Sequence, residues 1–233
     1  MKFYTYALIT ARKNSKEIKD KNLKKIGNLS ITRIVEKSYE KNSQIKKIFI
    51  SSDSKKILNE TSKKTTKILR PKNISKDSTK SEEVIFHFLD WIKKNDIVRP
   101  KYLYIVQPTS PFVSKKNITK ALNLIKKKKC GSVTSIYPVP HKFNAINQRI
   151  LLEDKKINFI YEKKRKKQHN RQLKTNVYAH GNIFLVDIDK FIKQKIILAK
   201  PNYAFVINSF KESIDIDTTS DLKLARIIAT KKV

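Results

Sequence analysis

The amino-acid sequence predicts an α/β sandwich built on a mainly parallel sheet, and three observations predict it. Apolar and β-branched runs of strand length alternate with stretches of helical spacing, the β-α-β-α order that parallel strands need for their crossovers. The 233 residues are 39% hydrophobic, enough for one sizeable core and too few for two full enzymatic domains. No internal repeat breaks the alternation, so residues 1–233 are expected to form a single domain.

The first predicted strand covers 4–9 and runs into a polar loop reaching Asn22. Ile31, Ile34 and Val35 give the spacing of a helix over 31–39. A strand over 47–51, a helix over 55–64 and a short strand over 66–69 follow. Ser81 is the expected N-cap of a helix reaching Lys94. Glu82 and Glu83 fall in its first turn, where the helix dipole favours carboxylates. The strand over 101–106 is stopped by Pro108 and Pro111. Ser114 is then the expected cap of a helix ending near Lys129, and 132–136 is another strand. His87, Phe88, Trp91 and Cys130 are read as structural residues of these elements.

From 138 to 176 the alternation lapses. The stretch carries Pro138, Pro140 and the basic run Lys163-Lys-Arg-Lys-Lys167, with a hairpin expected over 150–160. It is too long for an ordinary connection and is expected to project as an arm or subunit contact. The core pattern resumes with strands over 183–186 and 204–207 and a last helix over 219–230. Ligands in such folds bind beyond the C-terminal ends of the strands, which directs attention to the loops 10–22, 70–81 and 107–114.

Lysine and arginine total 53 against 20 acidic residues, a formal net charge of +33. Lysines outnumber arginines 45 to 8 and are spread along the chain. Phosphate and base recognition favours the planar arginine fork, so a nucleic-acid partner is not expected from charge alone. The basic field would still attract a polyphosphate. No apolar run approaches the ~20 residues of a membrane span, so no membrane partner is expected. The single cysteine excludes an intrachain disulfide. With no stretch of signal-peptide character, the expected location is the cytoplasm.

Three motifs carry chemistry. The loop Ala11-Arg12-Lys13-Asn14-Ser15-Lys16-Glu17-Ile18-Lys19-Asp20-Lys21-Asn22 sets Arg12, Lys16, Lys21 and Asn22 where they could surround a triphosphate. It lacks the glycines of a P-loop or a dinucleotide fingerprint, and taken alone it is a lysine-rich loop in a lysine-rich chain. In Ser213-Ile214-Asp215-Ile216-Asp217, strand spacing puts both aspartates on one face. Such a pair suits Mg²⁺, though Asp217 or Thr218 could instead simply cap the last helix. Gln107-Pro108-Thr109-Ser110-Pro111 is a rigid turn that leaves Gln107 at a strand's C-terminal edge, facing a cleft or solvent.

These motifs, in this order, resemble the CMP-acylneuraminate (CMP-sialic acid) synthetase family of cytidylyltransferases. Leu69-Arg70-Pro71, the segment from Asp77 to Ser81, and Arg171-Gln172 add to the likeness, which runs from about residue 3 to 228. The resemblance implies a three-layer α/β sandwich of the nucleotide-diphospho-sugar-transferase type with a projecting dimerisation arm over 138–176. It also implies transfer of CMP from CTP to the anomeric hydroxyl of a nonulosonic acid, with release of pyrophosphate. By residue-to-residue carry-over, Arg12, Lys16, Lys21 and Asn22 line the CTP phosphates, and Arg70, Thr79 and Ser81 lie around cytosine and ribose. Asp215 and Asp217 hold Mg²⁺. Gln107, Arg171 and Tyr178 face the sugar acid, and Arg171 acts across a homodimer. Arg12, Lys21, Asp215 and Asp217 are the expected catalytic set.

The chain departs from the family pattern twice. Glu17 replaces a glycine in the phosphate loop, and the element before the late strand, which the resemblance sets against the substrate's side chain, is shortened to His180-Gly181-Asn182, leaving the choice of sugar open. The alternatives are a pseudaminate, legionaminate or Kdo acceptor, a catalytically dead homologue, and a basic nucleic-acid-binding protein.

Overall fold

Seven strands form one sheet at the centre of the chain, seen in a computed structural model that describes residues 3–15, 17–168, 172 and 174–230. In chain order the elements begin with β1 (Thr5–Thr10), the short hairpin β2 (Lys25–Ile26) and β3 (Leu29–Ser30), and helix α1 (Ile31–Glu40). Next come β4 (Lys47–Ser52), α2 (Lys55–Asn59), β5 (Thr66–Leu69), α3 (Ser81–Lys94) and β6 (Tyr102–Val106). Helix α4 (Lys115–Lys128) and β7 (Ser132–Pro138) lead into the arm, which holds β8 (Arg149–Leu151), β9 (Ile157–Phe159) and α5 (Glu162–Lys167). The chain returns through β10 (Tyr178–Asp187), α6 (Ile188–Gln194), β11 (Asn202–Val206) and α7 (Thr219–Thr230).

The sheet order is β11-β7-β10-β6-β1-β4-β5. β1 pairs parallel with β4 and β6, β4 with β5, and β11 with β7. β10 pairs antiparallel with both its neighbours, making it the exception to the parallel pattern. It follows the arm, and an antiparallel neighbour needs no crossover helix.

Period-two alternation builds the three layers. In β6, Tyr102, Tyr104 and Val106 join β1's Ala7 and Ile9 in a core with residues of α1, α2 and α4. Leu103 and Ile105 join Tyr6 and Leu8 in a second core with α3 and α6. A third, smaller cluster joins Ile18 of the first loop to Ile26, Ile31, Ile214, Ile216, Leu222 and Ala225. It fastens α7 and the segment before it onto the β2–β3 hairpin.

Most predicted elements are present, with local corrections. The helix expected over 55–64 stops at Asn59. The carboxylate of Glu36, from α1, accepts the Ser62 N–H at 3.0 Å and the Thr65 hydroxyl, and these tertiary bonds replace further helical ones. Ser81 is the first residue of α3 rather than its cap. Lys80 occupies the cap position and its N–H donates to Glu83 Oε1 at 2.8 Å. Ser114 does cap α4, accepting from the Asn117 N–H at 3.2 Å. The arm contains the expected hairpin, formed by β8 and β9, and adds α5. Helix α6 was not expected, and β10 is longer than predicted.

Candidate functional site

A cavity of about 400 Å³ opens beyond the C-terminal ends of β1, β5 and β6. Arg12, Lys21, Asn22, Arg70, Thr79, Ser81, Gln107, Asp215 and Asp217 all line it, so most of the residues singled out in the sequence converge on one place. Lys16 and Arg171 lie outside the described residues. Tyr178 does not line this cavity. It pairs with Pro138 at the base of the arm, before an irregularity in β10 between His180 and Phe184, and borders a separate pocket with His141 and Lys174.

Each wall has a local cause. The Ala11 N–H donates to the Ser51 carbonyl at 3.1 Å, carrying sheet pairing past β1 and setting Arg12 at its mouth. Arg12 forms an ion pair with Asp77, from the loop that precedes α3. Asn22 is 6% exposed, and its Nδ2 donates to the Arg12 carbonyl at 2.8 Å. Its own carbonyl accepts from Thr32 Oγ1 at 2.8 Å, so Asn22 ties the two ends of the first loop to α1.

The third apolar cluster brings the C-terminal segment to the same mouth. Ile214 and Ile216 are buried while Asp215 and Asp217 are exposed, as the alternation predicted. The segment is extended without joining a sheet. Its Ile216 N–H donates to the Thr109 carbonyl at 2.8 Å, fixing it to the turn after β6. Asp215 Oδ1 accepts from Ser110 Oγ at 3.1 Å, and Lys21 Nζ lies 2.9 Å from Asp217 Oδ1. The cap of α7 falls to Thr218, whose Oγ1 accepts the Asp221 N–H at 3.2 Å. Asp221 Oδ2 in turn accepts the N–H groups of Asp217 and Thr218. Burial raises the Asp221 pKa, but these hydrogen bonds outweigh it and hold the carboxyl below its usual value. Asp217 is thereby released from capping and left for the cavity.

Arg70 differs from the other two cations. It is 6% exposed, its backbone N–H donates to the Ser52 carbonyl at 2.8 Å, and its Nε is buried with no hydrogen-bond partner among the described residues. Burial pushes its pKa down, Asp53 pushes it up and Arg12 pushes it down again. An unsatisfied buried guanidinium donor is costly and marks a place where a ligand acceptor would be stabilised.

Sequence reasoning missed several lining residues: Thr10, Ser15, Lys76, Val84 and above all Asp77. The signal for Asp77 was present, since it is one of only 20 acidic residues and sits in a loop singled out by topology. His180-Gly181-Asn182 proves structural at two of its three positions. Asn182 is buried and its Nδ2 donates to the Phe112 carbonyl at 3.0 Å and the Glu212 carbonyl at 2.9 Å, latching the C-terminal segment. Gly181 sits so close to Ser135 that a Cβ would meet that residue's backbone carbonyl at 2.7 Å.

A family model described as cytidylyltransferase matches residues 6–233. The chain belongs to that family. Among curated cytidylyltransferase relatives, it is 26% identical to a CMP-N,N'-diacetyllegionaminic acid synthase of Legionella pneumophila, covering 94% of this chain and 93% of that protein. It is 24% identical to an N-acylneuraminate cytidylyltransferase of Escherichia coli, over 97% of this chain and 52% of that longer protein. In fold this cytidylyltransferase is similar to a CMP:2-keto-3-deoxy-manno-octonic acid synthetase solved with CTP. The TM-score is 0.71 at 11% identity, with 99% of this chain and 100% of that one covered. A 4-diphosphocytidyl-2C-methyl-D-erythritol synthase from Anaerococcus prevotii gives a TM-score of 0.62 at 15% identity, covering 98% and 97%.

Proposed function

We propose that this cytidylyltransferase transfers CMP from CTP to the anomeric hydroxyl of a nonulosonic acid and releases pyrophosphate. The observation that carries the reading is the convergence of Arg12, Lys21 and Arg70 with Asp215 and Asp217 on one cavity at the C-terminal sheet edge. The acceptor class follows from the likeness to the legionaminic and acylneuraminic relatives.

In the reaction the sugar oxygen bonds to the α-phosphorus as the bond to the departing pyrophosphate breaks, and the hydroxyl proton passes to a phosphate oxygen and on to solvent. The work of the protein is positioning and electrostatics. Arg12 and Lys21 exchange Asp77 and Asp217 for phosphate oxygens, so the triphosphate takes the place of the chain's own carboxylates. Arg70 lines the cavity where the nucleoside would lie, with Thr79 and Ser81 beside it. Gln107, at the end of β6, presents an amide to the acceptor.

Asp215 and Asp217 would hold Mg²⁺. Two exposed carboxylates on one face of an extended segment are the hard oxygen donors that this ion takes alongside phosphate oxygens. The Lys21 ammonium 2.9 Å from Asp217 is in keeping with this reading, as positive charge already stands against that carboxylate. The ion when bound neutralises charge on the phosphoryl oxygens.

A homodimer accounts for the arm. Ile150, Leu151, Leu152, Ile157, Ile160 and Tyr161 are all exposed, Leu151 to 71%. A monomer seldom leaves so many large apolar groups together in water, and a second copy would cover them.

The test is pyrophosphate release from CTP and Mg²⁺ with N-acetylneuraminic, legionaminic, pseudaminic and Kdo acceptors. Release with one of the three nonulosonic acids, abolished by Asp217→Ala, is expected, and release with Kdo alone would refute the nine-carbon acceptor. No release with any, from folded protein that binds CTP, would refute the reading.

A further inference from the structure

A second cavity, of about 430 Å³, shares Gln107 with the first. Period two puts Ile105 on the same face of the chain as Gln107, and Phe184 stands opposite Ile105 in the β6–β10 register. Ile196, Ile197 and Leu198, from the loop after α6, close the wall. Among the described residues, the other polar linings are Glu82 and His180, and the His180 ring lies 5.9 Å from that of Phe184. Glu82 anchors the loop, its Oε1 accepting the Ile197 N–H at 3.2 Å. The first turn of α3 therefore serves both cavities, giving Ser81 to one and Glu82 to the other.

We propose that the second cavity receives the exocyclic side chain of the acceptor and selects one carrying acylamino and methyl groups over one carrying hydroxyls. The inference rests on the transferase reading above. A hydroxyl that reaches past Gln107, Glu82 and His180 meets five apolar side chains, and burying it there unpaired is costly. An acylamino group suits the same wall: its N–H donates to the second carboxylate oxygen of Glu82, and its methyl lies on isoleucine and leucine. A terminal methyl is likewise favoured where a terminal hydroxyl is not.

The test compares kcat/KM, by pyrophosphate release, for N,N'-diacetyllegionaminic and N-acetylneuraminic acids. These share ring and carboxylate, and differ where the first has an acetamido group and a methyl in place of side-chain hydroxyls. A preference of about 10- to 100-fold for the diacetylated acid is expected. Ile196→Asn should shrink it to within about threefold. Ile196 is 39% exposed, so this change spares the main core, and the wild-type comparison decides even where the variant fails to fold. Equal efficiencies, a preference for N-acetylneuraminic acid, or activity with Kdo alone would overturn the selectivity and leave the transferase standing. No release with any acceptor would overturn the transferase reading and this inference together.

Discussion

Replacing Ile216 with alanine tests whether the small third cluster fastens the C-terminal segment to the site. Ile216 is 0% exposed between Asp215 and Asp217, and the apolar groups around it are Ile18, Ile26, Ile31, Ile214, Leu222 and Ala225. Burying such a side chain is worth about 1.5–3 kcal/mol, and cutting it to alanine adds a cavity term, for a total of roughly 2–5 kcal/mol. The cluster is separate from the two sheet cores, so the loss should fall on local opening of α7 rather than on global unfolding. At about 1.4 kcal/mol per tenfold, amide exchange in 219–230 should rise roughly 30- to 4,000-fold, while β1 and β6 keep their protection. Hydrogen-exchange mass spectrometry on the folded protein reads both regions at once. A uniform rise across the sheet, or none in α7, would refute the idea that this cluster opens as its own unit.

Asn22→Ala leaves the Arg12 carbonyl without its side-chain donor and should cost about 1–3 kcal/mol by chemical denaturation; an unchanged midpoint would show that the loop does not depend on this bond. Gly181→Ala forces a Cβ against the Ser135 backbone and should cost about 1–3 kcal/mol at an unchanged denaturant slope. His87 has a buried Nδ1 with no partner among the described residues, and its pKa is lowered by burial and then by Arg70, with Asp90 opposing and Lys94 adding. The unfolded chain then binds a proton near pH 6.5 that the folded chain refuses, so stability is lost as pH falls through that value. His87→Gln should reduce the difference in denaturant midpoint between pH 7.5 and pH 5.5.

The layered fold was legible because β1 and β6 are runs of apolar residues, whose strand character follows from sequence alone. The same was true of the aspartate pair: Ile214 and Ile216 announce their own burial and so place the carboxylates between them on the other face. Features set by distant partners were not legible. The early end of α2 depends on Glu36, which lies 26 residues from Ser62, and Asp77 acquires its place through Arg12, 65 residues away. Whether Asp217 or Thr218 caps α7 could not be read from spacing, because Asp221 decides it by taking both N–H groups. Where Tyr178 stands relative to the cavity was not legible for a related reason. The irregularity in β10 separates it from the residues that follow, and only the pairing with β7 shows this.

The three carboxylates of the cavity bear on selectivity in a chain of net charge +33. On such a surface any polyanion is attracted, so positive charge cannot by itself distinguish a nucleotide from a nucleic-acid backbone. Asp77 and Asp217 hold Arg12 and Lys21 against competing anions, since an incoming phosphate must replace an existing ion pair rather than fill an empty one. Among the described residues Arg70 has no such partner at Nε, and its burial restricts it to a ligand that enters the cavity. On the proposed reading, a CTP molecule satisfies both conditions together, with its triphosphate displacing the carboxylates and its base reaching Arg70. An extended polyanion on the surface satisfies neither. Selectivity then arises from placing a few acids against the prevailing charge.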